Sequence, residues 1–160
     1  MNYHASKLKE GDKAPAFSVK NENGDLISLK ELKGKKVVLY FYPQDDTPTC
    51  TIESCNLRDN YSELKRKGYE VFGVSPDGEK SHQKFIKKFK LPFSLLADTE
   101  KEIIKAYDVW GGKKVFGRSY DGLIRTTFVI DEKGVIEKII REVEAKNHSE
   151  QILERQIVTN

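Results

Sequence analysis

The chain of 160 residues carries two cysteines, Cys50 and Cys55, and both fall within YFYPQDDTPTCTIESC, residues 40–55. Their spacing is too wide for the familiar redox pair with two intervening residues, and no further cysteine is available to complete a metal site. Zinc needs three or four ligands, and no histidine lies close in sequence. Two buried structural thiols on a helix are the plainest alternative. The residues in front of Cys50 argue for chemistry instead.

Thr47 precedes Pro48. Proline suits the first helical position, and a threonine before it can act as the cap. A helix starting there places Cys50 in its first turn, among unpaired backbone N–H groups at the positive end of the helix dipole. Those donors favour the thiolate, which is the nucleophilic form. Asp45 and Asp46 oppose this effect unless they face solvent, and they read as solvated loop residues rather than acid–base groups. A cation brought in from elsewhere in the fold would reinforce it.

Spacing then constrains what the two thiols can do. Advancing 100° per residue from Cys50, Leu57, Tyr61 and Leu64 fall within about 40° of it, which marks the buried face, while Cys55 falls about 140° away. In an intact helix the two Cα atoms are roughly 8–9 Å apart. A disulfide needs about 4.4–6.8 Å. If Cys50 and Cys55 bond to each other, the first turns of the helix must unwind. The matching chemistry is oxidation of one thiolate to a sulfenic acid, followed by condensation with the other thiol after a local opening.

The elements that would position these residues are legible from patterning. Val37–Tyr42 is a continuous apolar run ended by Pro43, as expected of a central strand buried on both faces. Tyr69–Ser75, Phe93–Ala97, Ile124–Ile130 and Val135–Arg141 read as further strands, the last two joined as a hairpin across Asp131–Gly134. Helical patterns span 48–67, 79–90, 100–107 and 148–157. This predicts a three-layer α/β fold with a mixed central sheet flanked by helices. Gly11–Leu29, with Gly24 at a turn, reads as an added N-terminal hairpin. Residues 43–50 leave the most buried strand at its carboxyl end, where open α/β sheets place their ligands.

Composition limits the remaining possibilities. The 160 residues fit one domain, with 38% apolar and 33% charged residues and a net charge of +3. No segment approaches the length of a membrane span. The N-terminus has no apolar h-region, so the reading is a cytoplasmic protein in a reducing compartment, where a standing disulfide would be unusual. The lysine runs are solvated faces, and no aromatic-plus-basic module points to nucleic acid. No glycine-rich nucleotide cradle is present, so no bound cofactor is expected. His4 and His82 read as surface residues, His148 as part of the start of the last helix, and Tyr107 and Trp110 as core or rim packing.

Pro43, Thr47 and Cys50 stand as P-x-x-x-T-x-x-C, and this resembles the active-site signature of the peroxiredoxins. The second cysteine five residues on is similar to the Q-type subgroup, the bacterioferritin-comigratory proteins. GDKAPAF, FGVSPD, LPFSLLAD, AYDVWG, IRTTFVID and the region of His148 extend the likeness over nearly the whole chain. Thr49 departs from the glycine common before the cysteine. The resemblance implies a thioredoxin-like fold. It implies Cys50 as the peroxidatic nucleophile, Cys55 as the resolving thiol, Thr47 as a hydrogen-bonding partner of the peroxide, and Pro43 as a shield. Arg125 matches the family's active-site arginine and would be the missing cation. The reductant it implies is thioredoxin or a similar dithiol protein, and the subgroup points to a monomer. Two other readings use the same residues: a dithiol oxidoreductase acting on protein disulfides, and a redox-sensing module whose helix attracts a partner when oxidised.

Overall fold

The most apolar run of the sequence becomes the middle of the sheet in the computed structural model, which describes residues 4–154. This strand is paired on both sides. It is β3 (Lys36–Phe41), preceded by the short strands β1 (Ser18–Lys20) and β2 (Leu26–Ser28) of an N-terminal antiparallel hairpin. There follow α1 (Pro48–Asp59), α2 (Tyr61–Arg66), β4 (Tyr69–Ser75), α3 (Glu79–Phe89), β5 (Ser94–Ala97) and α4 (Glu102–Ala106). The chain continues through β6 (Trp110–Val115), β7 (Arg118–Leu123), β8 (Thr126–Ile130), β9 (Ile136–Ile140) and α5 (His148–Glu154).

The main sheet has the order β5-β4-β3-β8-β9. β3, β4 and β5 run parallel, β8 runs antiparallel to β3, and β9 runs antiparallel to β8 at the edge. Alternation along β3 sends its side chains to two separate cores. Val37, Leu39 and Phe41 pack with Ile103, Ile104, Tyr107 and Phe128, beneath the N-terminal hairpin and α4. Val38, Tyr40 and Tyr42 pack with Cys50, Leu57, Leu64, Phe85 and Ile152, beneath the other helices. Burial on both faces explains why this strand reads as unbroken apolar sequence. Helices therefore flank a mixed sheet, as expected.

Two departures have local causes. The expected helix over 48–67 breaks at Asn60, whose backbone leaves the helical region at φ −113° and ψ 12°. Its side-chain Nδ2 donates to the Asn56 carbonyl at 2.9 Å, while its backbone N–H turns to Arg58 O. An asparagine side chain that supplies the i−4 bond frees the backbone to turn. The second departure is the β6–β7 hairpin, which the sequence patterning left undescribed. Its two-residue turn places Phe116 and Gly117 at φ +52° and +80°, the left-handed pair that matches strand twist. Two glycines, two lysines and a phenylalanine at a left-handed position conceal the usual hairpin signals.

No helix among the described residues is long and apolar enough to cross a membrane. Residues 155–157 of the expected last helix lie outside the described range.

Candidate active site

Cys50 is the third residue of α1, and Thr47 takes the extended backbone of a cap at φ −93° and ψ 157°. The threonine hydroxyl does not cap the helix. It donates instead to the Gln44 carbonyl at 3.0 Å, so the first-turn N–H groups have no side-chain partner from Thr47. Cys50 is 1% exposed and packs on the face carrying Leu57 and Leu64. Cys55 is partly buried, both thiols are free, and the helix is continuous between them. The expected separation of roughly 8–9 Å therefore holds by helical geometry. Burial pushes the Cys55 thiol above its ordinary pKa, against the pull of Arg58.

The cation comes from the entry to β8, the strand paired with β3, where Thr126 lies opposite Phe41. Arg125 lies in the two-residue gap between β7 and β8, pinned by the Ile124 N–H on Val109 O at 2.7 Å and by Thr126 Oγ1 on Ile124 O at 2.9 Å. One arm of its guanidinium, Nη2, donates to Cys50 Sγ at 3.1 Å. The other, Nη1, donates to Glu53 Oε1 at 2.6 Å. Burial disfavours the arginine charge, but the Glu53 carboxylate and the Cys50 sulfur outweigh this and raise its pKa above the usual range. The expected strand over Ile124–Ile130 starts only at Thr126, so Arg125 precedes β8 and its direction is not set by the alternation of that strand.

Glu53 escaped the sequence reading, although it lies one helical turn beyond Cys50 and so shares its face. It is fully buried. Behind it stands His148, also fully buried, with Nε2 3.4 Å from Glu53 Oε2. His148 is the first residue of α5, but its side chain turns inward rather than serving the helix end. Lys113 of β6 is a further cation near the site and donates to Leu123 O at 2.8 Å. Burial, and then the Arg125 charge, pull its pKa below the usual lysine range.

Two expectations fail at the approach to α1. Asp45 is 8% exposed rather than solvated, and His82 is completely buried rather than on the surface. The Asp45 carboxylate accepts from Tyr42 Oη at 2.6 Å, Ser81 Oγ at 2.7 Å and His82 Nδ1 at 2.8 Å. His82 Nε2 faces Leu96 O at 3.0 Å. Both ring nitrogens thus face acceptors, and His82 pins the loop after β3 to α3 and β5. Both ring nitrogens are engaged within the fold, and Asp77 lies close to the same cluster. Position in α3 was the available signal: His82 and Phe85, three apart, are the buried residues of a strongly amphipathic helix. Asp46, by contrast, is exposed and pairs with Lys88. His4 is half-buried and holds Asp108, Trp110 is half-buried under Lys101, and Tyr107 is core.

The arrangement presents a buried sulfur to a fixed guanidinium at a helix start, beside a cavity of about 330 Å³ lined by Arg125, Arg141 and Glu144. A larger cavity, about 750 Å³, lies between the N-terminal hairpin and α3, and neither cysteine lines it.

Comparison with known proteins agrees with this geometry. Residues 10–139 match the model of the AhpC/TSA family. Peroxiredoxin Bcp of Bacillus subtilis is 44% identical over 147 residues, covering 92% of this chain and 94% of that protein. Peroxiredoxin Bcp of Escherichia coli is 40% identical over 146 residues, covering 91% and 94%. Among solved structures, a cysteine-to-serine variant of PrxQ from Xylella fastidiosa superposes with a TM-score of 0.88 at 27% identity, covering 96% of this chain and 98% of that one. The bacterioferritin comigratory protein of Xanthomonas campestris gives 0.83 at 28% identity, over 94% and 96%. With the family model spanning most of its length and relatives matching from end to end, the chain belongs to the AhpC/TSA family and is a peroxiredoxin of the Q-type, bacterioferritin-comigratory subgroup.

Proposed function

We propose that this enzyme reduces hydrogen peroxide and organic hydroperoxides by a two-cysteine cycle. The observation that carries it is the Arg125 guanidinium 3.1 Å from a buried Cys50 Sγ at the start of α1. A fixed charge there stabilises the thiolate and the charge that develops on the departing oxygen. The Cys50 sulfur attacks the terminal oxygen of the hydroperoxide; an S–O bond forms, the O–O bond breaks, and water or an alcohol leaves after protonation. The Thr47 proton is committed to Gln44 O, so its oxygen remains free to accept from the O–H of the substrate. Pro43 ends the strand and shields the sulfur from water. The Xanthomonas campestris relative is described for alkyl peroxide reduction, which supports including organic hydroperoxides.

Cys55 then attacks the sulfenic sulfur, forming the disulfide and releasing water, once the first turns of α1 have unwound. A dithiol protein such as thioredoxin restores both thiols by exchange. The unbroken helix across the pair disfavours a direct protein-disulfide reductase. The enzyme works as a monomer in a reducing, cytoplasmic setting, without a bound cofactor.

Cysteine variants test the cycle. Cys50→Ser is expected to consume no peroxide. Cys55→Ser is expected to complete one rapid oxidation and then stall with thioredoxin present. Sustained turnover by both variants, or an intact helix over 50–55 in the oxidised protein, would contradict the mechanism.

A further inference from the structure

The Cys50–Arg125 contact has a third and a fourth member behind it. Arg125 holds Glu53 through Oε1, and the other carboxylate oxygen, Oε2, makes no hydrogen bond among the described residues. His148 Nε2 lies 3.4 Å from that oxygen. Both side chains are fully buried.

The hydrogen bonds around His148 limit where its protons can be. Gln151 Nε2 donates to Glu142 O at 2.9 Å, and Gln151 Oε1 accepts from the Glu144 N–H at 2.9 Å. That fixes the amide, so Oε1 is the atom facing His148 Nδ1 at 2.8 Å. An oxygen without a proton can only accept, so Nδ1 carries a hydrogen. Nε2 lies between Thr127 Oγ1, at 2.7 Å, and Glu53 Oε2. If Nε2 is bare, its lone pair faces a carboxylate oxygen that then has no protein donor at a fully buried site. An unpaired buried charged acceptor is among the costlier defects a protein interior can hold. A proton on Nε2 removes it.

With that proton the four groups form a row of alternating sign: His148, Glu53, Arg125 and the Cys50 thiolate. The row is neutral as a whole, which suits its burial. With a neutral imidazole it carries a net negative charge, and Glu53 is held by Arg125 alone.

We propose that His148 is a positioning residue for Cys50 chemistry, donating from Nε2 to Glu53 so that the carboxylate stays ionised and aims Arg125 at the sulfur. The proposal rests on the reading of Cys50 as the peroxide-reacting thiol. His148 touches neither sulfur nor substrate and acts through Glu53. Its place at the start of α5 also ties that helix to α1, where Asn56 Nδ2 donates to Lys146 O and the Ser149 N–H donates to Asn56 Oδ1.

The test uses the full chain in its reduced state. Nitrogen NMR of the histidine rings is expected to show both nitrogens of His148 protonated in the wild type, and the neutral Nδ1–H form in Glu53→Gln. Rapid mixing with hydrogen peroxide is expected to show that His148→Gln oxidises about ten- to a hundredfold more slowly, as for loss of a group that orients a reacting one. A neutral His148 in the wild type overturns the proposal, as does a wild-type rate in a folded His148→Gln. If His148→Gln does not fold, the wild-type spectrum alone decides. Cys50→Ser separates the two levels: persistent peroxide turnover there refutes the underlying reading, whereas an inert Cys50→Ser beside a fast His148→Gln refutes only the role of His148.

Discussion

Arg125 meets the Cys50 sulfur with one arm and the Glu53 carboxylate with the other. A planar guanidinium satisfies both directions at once, whereas a lysine ammonium is a single point charge on a flexible stem. Arg125→Lys keeps the charge and loses the fork. Oxidation of Cys50 by hydrogen peroxide is expected to slow about 10²–10³-fold, the usual loss for one oriented donor in a preorganised site. Stopped-flow mixing measures this directly. An unchanged rate would mean that charge alone, without orientation, is sufficient. Cys55 differs in kind: burial favours its thiol form, and in the proposed cycle the opening that would bring it to Cys50 would also relieve that burial.

At the scale of elements, α1 is clamped along the segment that would open in the proposed cycle. Ser54 Oγ meets Tyr40 Oη at 2.9 Å, Asn56 holds residues 146 and 149, and Glu53 holds Arg125. Upstream, Asp45 fastens the loop between β3 and α1 to α3 through His82 and Ser81. The loop therefore has a fixed end at Asp45, and in the proposed cycle unwinding would begin beyond it. Asp45→Ala leaves a buried imidazole and two hydroxyls without their acceptor. Breaking one side of a buried pair costs about 3–5 kcal/mol, so a urea titration is expected to show a loss of that size. A loss below about 1 kcal/mol, the range of exposed pairs, would show that the cluster does not anchor the loop.

Across the whole molecule, the site depends on how closely the central strands approach. Gly73 lies on β4 beneath the Tyr40 ring, and a Cβ there would fall 2.7 Å from Leu95 Cδ2 and 2.8 Å from Tyr40 Cζ. Tyr40 is fully buried, stacks on Tyr42, meets Phe93 edge-on and reaches Ser54 on α1. Displacing that ring disturbs the core beneath Cys50. Gly73→Ala is expected to destabilise the protein by about 1–3 kcal/mol, as overpacked cores generally are. Chemical denaturation provides the measure, and wild-type stability would show that Tyr40 and Leu95 yield without strain.

Local chemistry made much of this legible in the sequence. An apolar run ended by Pro43 announced the buried strand, and Thr47–Pro48 announced the start of α1, because caps and strand burial act over a few neighbouring residues. The five-residue gap between the thiols likewise needed only helical geometry. What lay outside its reach was set by distant contacts. Which cation would face Cys50 depended on where the chain crosses from β7 to β8, far from α1 in sequence. Asp45 and His82 look solvated one by one and are buried only because each supplies the other's partner. Glu53 and His148 are 95 positions apart and meet only when α5 packs on α1. The sequence by itself determined the central strand, the start of α1 just ahead of Cys50 and the helical separation of the two thiols. Tertiary structure alone decided which charges surround that cysteine, because a charge is tolerated in the interior only where folding has brought it an opposite one.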